Sequence, residues 1–408
     1  MTLVILGDDL SACIVAHNYR KVSRKDQVLL VKTSECPGFS YSLLPYYAVG
    51  LTASPQLIST TLLSSSDLIE VINPQDIKVT GPGEFIVDEE VHRGTLLVSI
   101  WPEPDIGARK CLNLKNPESA KLLRECLHTE KHVTVIGSIA ALPLIDALLK
   151  AGFKQLYFYL DKSAKIFDND IQEQILKNLT ECGVKLIDGL DKIDEKSLIV
   201  SYAWGKAPQP IWLSLKRGSR IIVDRFCNVM GIPGIKAIGC ATKIVGQKGY
   251  KFDVTCEGES MLQAQSCFLD LIGLEPVNIK RCFIAQLGDK LFASLGMLPS
   301  EAESLGRRVS VTKIRGWGAW SETSLKIVAS QKGKLLGIQL ITSLDKAMLI
   351  GFLYCIVRAE ENLRKLLYAL NPLAVFELSF EDPFHRALQA LFRKIVLRAL
   401  AKRSQIQL

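Results

Sequence analysis

The apolar positions of this chain fall in short unbroken runs more often than in alternating ones. Leu3 to Leu6 is all apolar and ends at Gly7; a helical stretch follows from about Leu10 to Val22, then a second apolar run at Val28 to Val31. Unbroken runs of this kind mark parallel strands covered on both faces. Strand, turn, helix and strand in quick succession make a βαβ unit of a dinucleotide-binding fold. The order recurs at Val133 to Gly137, a helix near Leu142 to Ala151, and Leu156 to Leu160. Two tandem units are therefore predicted.

Between them, Ile77 to Ile86 and Gly94 to Ile100 read as strands around turns at Gly81-Pro-Gly83 and Asp88-Glu-Glu90. Further strands are expected at Ser197 to Val200 and Arg220 to Asp224, with the loop Ala203 to Pro208 after the first. Beyond Arg281 the texture changes. Val309 to Ile314, Ser324 to Ser330 and Lys334 to Thr342 read as successive strands, and helices are expected at Ala347 to Leu370 and His385 to Lys402. Strands followed by helices describe a separate α+β domain.

At 408 residues the chain suits two or three domains. Its 48% hydrophobic and 23% charged residues are ordinary for a globular protein. A net charge of +8 permits an acidic partner and requires none. The eleven cysteines form no CxxC pair, which points to dispersed thiols in a reducing cytoplasm. The longest apolar run, Ala347 to Val357, is shorter than the roughly 18–20 residues of a membrane span and reads as a buried helix. Met1 to Gly7 lacks the basic flank of a signal peptide and is expected to be the first strand.

Four segments carry a family resemblance: Phe39 to Gly50 with its Leu-Pro-Tyr-Tyr run, Ile232 to Gly239, Gly333 to Gln339, and Ser379 to Phe384. In this order and spacing they resemble the coenzyme A disulfide reductase and NADH oxidase branch of the pyridine nucleotide-disulfide oxidoreductases. The resemblance implies an α/β fold with two tandem Rossmann-like dinucleotide-binding domains of the three-layer ββα type and a C-terminal α+β dimerisation domain. Residues 1–110 and 226–280 would form an FAD-binding-like domain, 111–225 an inserted NAD(P)-binding-like domain, and 281–408 the dimerisation domain.

Set against that family, the site residues have changed. The redox cysteine position holds Ser42, whose hydroxyl cannot replace an ionised, polarisable sulfur. The first fingerprint keeps Gly7 and Ala12 but places Asp9 at its middle glycine. Two like charges about 4 Å apart repel by about 4 kcal/mol at an effective dielectric of about 20, roughly three decades of affinity. Asp9 also suits a helix cap. Lys32 stands where a ribose-binding acid belongs, Trp101 where a glycine does, and Cys240 follows Gly239 in place of an aspartate. In the second unit Gly137 is kept, Ile139 and Leu142 replace glycines, and Asp161 reads first as a solvated strand-end charge and second as an acceptor for ribose hydroxyls. The Trp204 to Pro208 loop resembles the family's return turn.

His128 and His132 share i, i+4 spacing without a third ligand, so no metal site is expected. Leu388, Leu391, Phe392, Ile395, Val396 and Leu400 form an apolar stripe flanked by Arg386, Arg393, Lys394, Arg398, Lys402 and Arg403. Such a helix suits a subunit interface or, as a rival reading, an anionic membrane surface or nucleic acid. The leading expectation is a cytoplasmic, non-catalytic scaffold or regulatory subunit without cofactor, a homodimer or a heterodimer with an active relative, and with no nucleic-acid partner. The alternative is an active FAD-dependent NAD(P)H oxidoreductase with altered contacts.

Overall fold

A computed structural model describes residues 2–58, 69–72, 77–81, 83–99, 101–103, 111–161, 165–194, 196–202, 220–246, 249–276, 278–316, 321–363, 365–366, 386–391 and 393–397. The Trp204 to Pro208 loop, the Ser379 to Phe384 segment, Phe392, Leu400 and the basic residues Arg398, Lys402 and Arg403 lie outside them.

The described residues divide into two compact units, Met1–Ala164 with Asn178–Ile279, and Lys165–Lys177 with Lys280–Leu408. The first unit opens with β1 (Thr2–Leu6), α1 (Leu10–Val22) and β2 (Gln27–Val31). The short helix α2 (Leu44–Ala48) and strands β3 (Ile69–Ile72), β4 (Ile77–Gly81), β5 (Glu84–Val87) and β6 (Glu90–Ser99) follow. These strands lie in the order β3-β2-β1-β6-β5-β4. The β1–β2, β1–β6 and β2–β3 pairs are parallel, as the unbroken apolar runs require, and Leu3, Val4 and Ile5 are fully buried. Strands β4 and β5 are antiparallel on either side of the turn expected at Gly81-Pro-Gly83. A second turn before β6 sets Asp88 and Glu89 at positive φ.

The chain then runs through β7 (Leu112–Asn113), α3 (Pro117–Thr129), β8 (His132–Gly137), α4 (Leu142–Lys150), β9 (Gln155–Leu160), α5 (Asn169–Glu181), most of which belongs to the other unit, β10 (Lys185–Ile187) and β11 (Leu198–Ser201), and the five strands form a second sheet. Its order is β10-β9-β8-β11-β7, parallel in each pairing. Next come β12 (Ile221–Asp224), β13 (Ile235–Ile238), β14 (Thr242–Val245), β15 (Lys251–Asp253) and α6 (Glu257–Leu271). Strand β13 returns to the first sheet and pairs with β6, so that sheet is assembled from two distant stretches of chain.

The second unit is a five-stranded antiparallel sheet, β16 (Cys282–Leu287), β17 (Lys290–Gly296), β20 (Leu335–Ser343), β19 (Ser324–Ser330) and β18 (Val309–Arg315) in spatial order. A short helix, α7 (Pro299–Ser304), precedes β18, and α8 (Ala347–Ala359) packs on β17 and β20. Expected to be buried all round, α8 is amphipathic: Ile350, Leu353 and Val357 enter the core, whereas Met348 is 91% exposed and Phe352 and Cys355 also face outward. Leu388 and Leu391 of the last helix join the same core and Ile395 packs against it, so much of the described apolar stripe is spent on the sheet. No helix among the described residues is long and apolar enough to cross a membrane.

Candidate functional site

The turn from β1 to α1 sets the first part of the site. Gly7 has φ +112°, and a Cβ there would meet the Ser99 Cβ at 3.0 Å, so the position calls for glycine. Asp8 is fully buried and accepts from Thr33 Oγ1 at 2.6 Å, Ser34 N at 3.0 Å and Ser34 Oγ at 2.8 Å. Asp9 caps α1: its Oδ1 accepts from the Ala12 amide at 2.8 Å and its Oδ2 from the Ser99 hydroxyl. Burial raises both carboxyls, Asp9 to about 6 despite its donors, with Glu257 and Asp8 adding to the shift. Two adjacent buried carboxylates thus occupy the turn, and donors that would face an anion are engaged by them. When ionised they do not match a pyrophosphate; a protonated Asp9 removes one charge.

The Leu-Pro-Tyr-Tyr segment is fixed from both ends. Glu257, in the first turn of α6, accepts from Ser40 Oγ at 2.5 Å, Tyr41 N at 2.9 Å and Ser42 N at 3.3 Å. Ser42 is exposed. Pro45 sits in the first turn of α2, where a missing N–H costs nothing. Farther on, Tyr46 donates to Asp146 of α4 at 2.7 Å, and the same carboxylate pairs with Lys150 at 2.7 Å. Arg124 of α3 donates to the Tyr47 carbonyl, and to Ala48 O at 3.4 Å, with its guanidinium 4.6 Å from the Tyr47 ring centre.

Aromatic rings fill the space beside this segment. Trp101 stacks on Tyr41 with ring centres 3.8 Å apart and planes 9° apart. Tyr202, just beyond β11, lies 5.6 Å from the indole and donates to the Tyr41 carbonyl at 2.8 Å. The buried Trp101 Nε1 has no partner among the described residues. Cys240 is also buried, and desolvation pushes its thiol far above the ordinary range, so it is packing rather than a nucleophile. The Gly239 amide donates to Gln263 Oε1 at 2.8 Å. Lys32 is half-buried, its amide bonded to Ile72 O at 2.8 Å.

At the second dinucleotide turn, Ser138 accepts from Ala140 N at 3.2 Å and starts a 3-10 turn over Ile139–Ala141. Ile139 is buried without a positive φ, so the left-handed conformation expected of the middle glycine is not adopted. Leu142 is buried at the start of α4. Asp161 is half-buried one residue past β9, and its amide donates to Gly137 O at 2.8 Å. The turn thus brings Gly137, Ser138 and Asp161 together. His128 ends within α3 and His132 opens β8, so they share no helix face. Among the described residues no group of three or more His, Cys, Asp or Glu is arranged to hold a metal.

The structure adds two residues that sequence reasoning passed over. Asp8 was signalled only by the Asp-Asp pair after Gly7, and Glu257 only by an acid at a helix start; its partners lie more than 200 positions away.

No protein-family model and no curated protein matches the sequence. Solved structures do. A NAD-dependent persulfide reductase from A. fulgidus superposes with TM-score 0.74 at 15% identity, over 97% of this chain and 83% of that one. The water-forming NADH oxidase from Lactobacillus brevis bound to NADH gives 0.76 at 16%, over 98% of this chain and 100% of its own; an engineered form of it was solved with NADPH. A pyridine nucleotide-disulfide family oxidoreductase from Enterococcus faecalis gives 0.67 at 16%, over 90% and 92%. The expectation that no cofactor is bound is corrected by these structures, in which the same architecture carries NADH and NADPH. The Asp9 carboxyl bears on the β1–α1 turn alone and leaves the β8–α4 turn untouched.

Proposed function

We propose, from the fold this chain shares with the pyridine nucleotide-disulfide oxidoreductases, that it is a cytoplasmic, dimeric regulatory or scaffold subunit that takes NAD(P)H and passes no electrons through a thiol. The observation that carries this is Ser42. It stands exposed at the redox position, its backbone held by the Glu257 carboxylate, and a hydroxyl there supplies no thiolate.

The β8–α4 turn would hold the nucleotide. Its phosphates would lie toward the start of α4, and Asp161 would accept ribose hydroxyls. A bound nicotinamide supplies a hydride donor; the chain's own residues bind and orient it. In this reading residues 1–110 with 226–280, and 111–225, form the two dinucleotide-binding-like domains, and 281–408 the dimer-forming one. Eleven free thiols suit a reducing compartment. The outward face of α8, with Met348, Phe352 and Cys355, suits a second copy or an active relative.

Calorimetry with NADH and NADPH tests binding, and nucleotide oxidation with coenzyme A disulfide as acceptor tests turnover. Binding without turnover is expected; acceptor-dependent oxidation by the purified protein would overturn the proposal. A second reading, an FAD-dependent NAD(P)H oxidoreductase with altered contacts, is favoured by one feature: a carboxyl pushed to about 6 sheds its charge readily at Asp9. Blue absorbance of the purified protein, with flavin released on denaturation, would select it.

A further inference from the structure

Residues 40–48 are held by two different layers of the first unit. At the near end three consecutive residues bond to Glu257, on the helix that packs against α1 over the first sheet. Ser260 of that helix reaches Ser11 of α1 at 2.9 Å. At the far end α2 packs on α3 and α4, which flank the second sheet. Each far contact is directional: Tyr46 on Asp146, Lys150 completing that carboxylate, and Arg124 on the last carbonyls of α2. Asp146 is 1% exposed, so losing the Tyr46 hydroxyl would strip a donor from a buried charge.

We infer that residues 40–48 form a strap coupling the layers of the two sheets, so that movement of α4 is felt at Ser42. The strap is short, and α2 is only five residues long, leaving little slack between its anchors. The dinucleotide turn lies at the start of α4 and Asp146 one helical turn farther on. A nucleotide at that turn would therefore act on the helix that grips Tyr46. This last link rests on the nucleotide binding proposed above; the strap itself does not.

Amide hydrogen exchange on the full chain tests it, with Tyr46→Phe and Glu257→Gln as variants and unchanged protection in β1 and β8, the central strands of the two sheets concerned, as the control for folding. Tyr46→Phe is expected to speed exchange about tenfold at Tyr41 and Ser42 as well as in α2, the size of one lost hydrogen bond. Glu257→Gln is expected to do the reverse, loosening Tyr47 and Val49 from the near end. Changes confined to the mutated end would overturn the strap; if Glu257→Gln does not fold, Tyr46→Phe and Arg124→Gln decide it. Saturating NADH or NADPH should protect Ser40 to Ser42 in the unaltered protein and not in Tyr46→Phe. Calorimetric binding without that protection would overturn the coupling and leave the functional proposal standing. Absence of binding would remove the functional proposal, with the strap judged on the variants alone.

Discussion

Asp9 shows how far single residues could be read. Its place after Gly7 and its fitness as a cap were visible in the sequence; its Ser99 contact was not, because Ser99 lies 90 positions away. The pH consequence has a definite sign. The folded value is about 6 against an ordinary 3.8, so the native state holds the extra proton between those limits. That stabilising contribution is complete below about pH 4 and is lost as pH rises through about 6. With about 1.4 kcal/mol per unit, the cost at neutral pH is on the order of 2–3 kcal/mol. Asp9→Asn keeps an acceptor for Ala12 and should stabilise the protein by up to that amount at pH 7.5, with little effect near pH 4, in urea titrations. An equal effect at both pH values would refute the buried-charge account. Ser42→Cys is a second residue-scale case. Beside Glu257 the new thiol should ionise with difficulty and alkylate no faster than a free cysteine; faster alkylation by iodoacetamide would contradict that environment.

At the level of elements, the parallel strands were legible because burial on both faces leaves an unbroken apolar signature. The β4–β5 turn was marked by Gly81-Pro-Gly83; the exposed face of α8 was not legible, since a run of apolar residues does not say which side is covered. The Gly333 to Gln339 motif was recognisable only as resemblance, and the structure now supplies its reason. Gly337 crosses β17 so closely that a Cβ would stand 2.1 Å from the Met297 carbonyl oxygen. Gln339, 1% exposed, accepts from Asp168 N and donates to Asp168 Oδ2, both at 2.8 Å. Gly337→Ala should therefore cost several kcal/mol, on the order of other overpacked sites, seen as a fall in Tm. A change of less than about 0.5 kcal/mol, the range of surface substitutions, would mean that the strands separate easily.

For the whole molecule, the sequence indicated the architecture better than the chemistry, because layers depend on many apolar positions and a site on a few long-range pairs. Partners are decided at this scale too. Met348→Glu combined with Phe352→Glu places charge on the outward face of α8 without touching Ile350, Leu353 or Val357 in the core. The proposed pairing through this face predicts a dimer in light scattering that these charges convert to monomer, with little change in Tm beyond the loss of association. A dimer unaffected by both charges would move the interface elsewhere.

The segment Lys165–Lys177 belongs to the C-terminal unit although it is made long before it. Ile166, Phe167, Ile171 and Ile175 are buried, Phe167 meets Phe283 edge-on, and Asp168 waits for a glutamine 171 positions downstream. At roughly 5–20 residues per second a ribosome needs on the order of ten to thirty seconds to deliver that partner. During synthesis a greasy stretch therefore stays exposed in the middle of an otherwise finished nascent chain. Chaperone demand should concentrate in that interval, and fragments ending near Ile279 should precipitate rather than accumulate as a tidy half-protein.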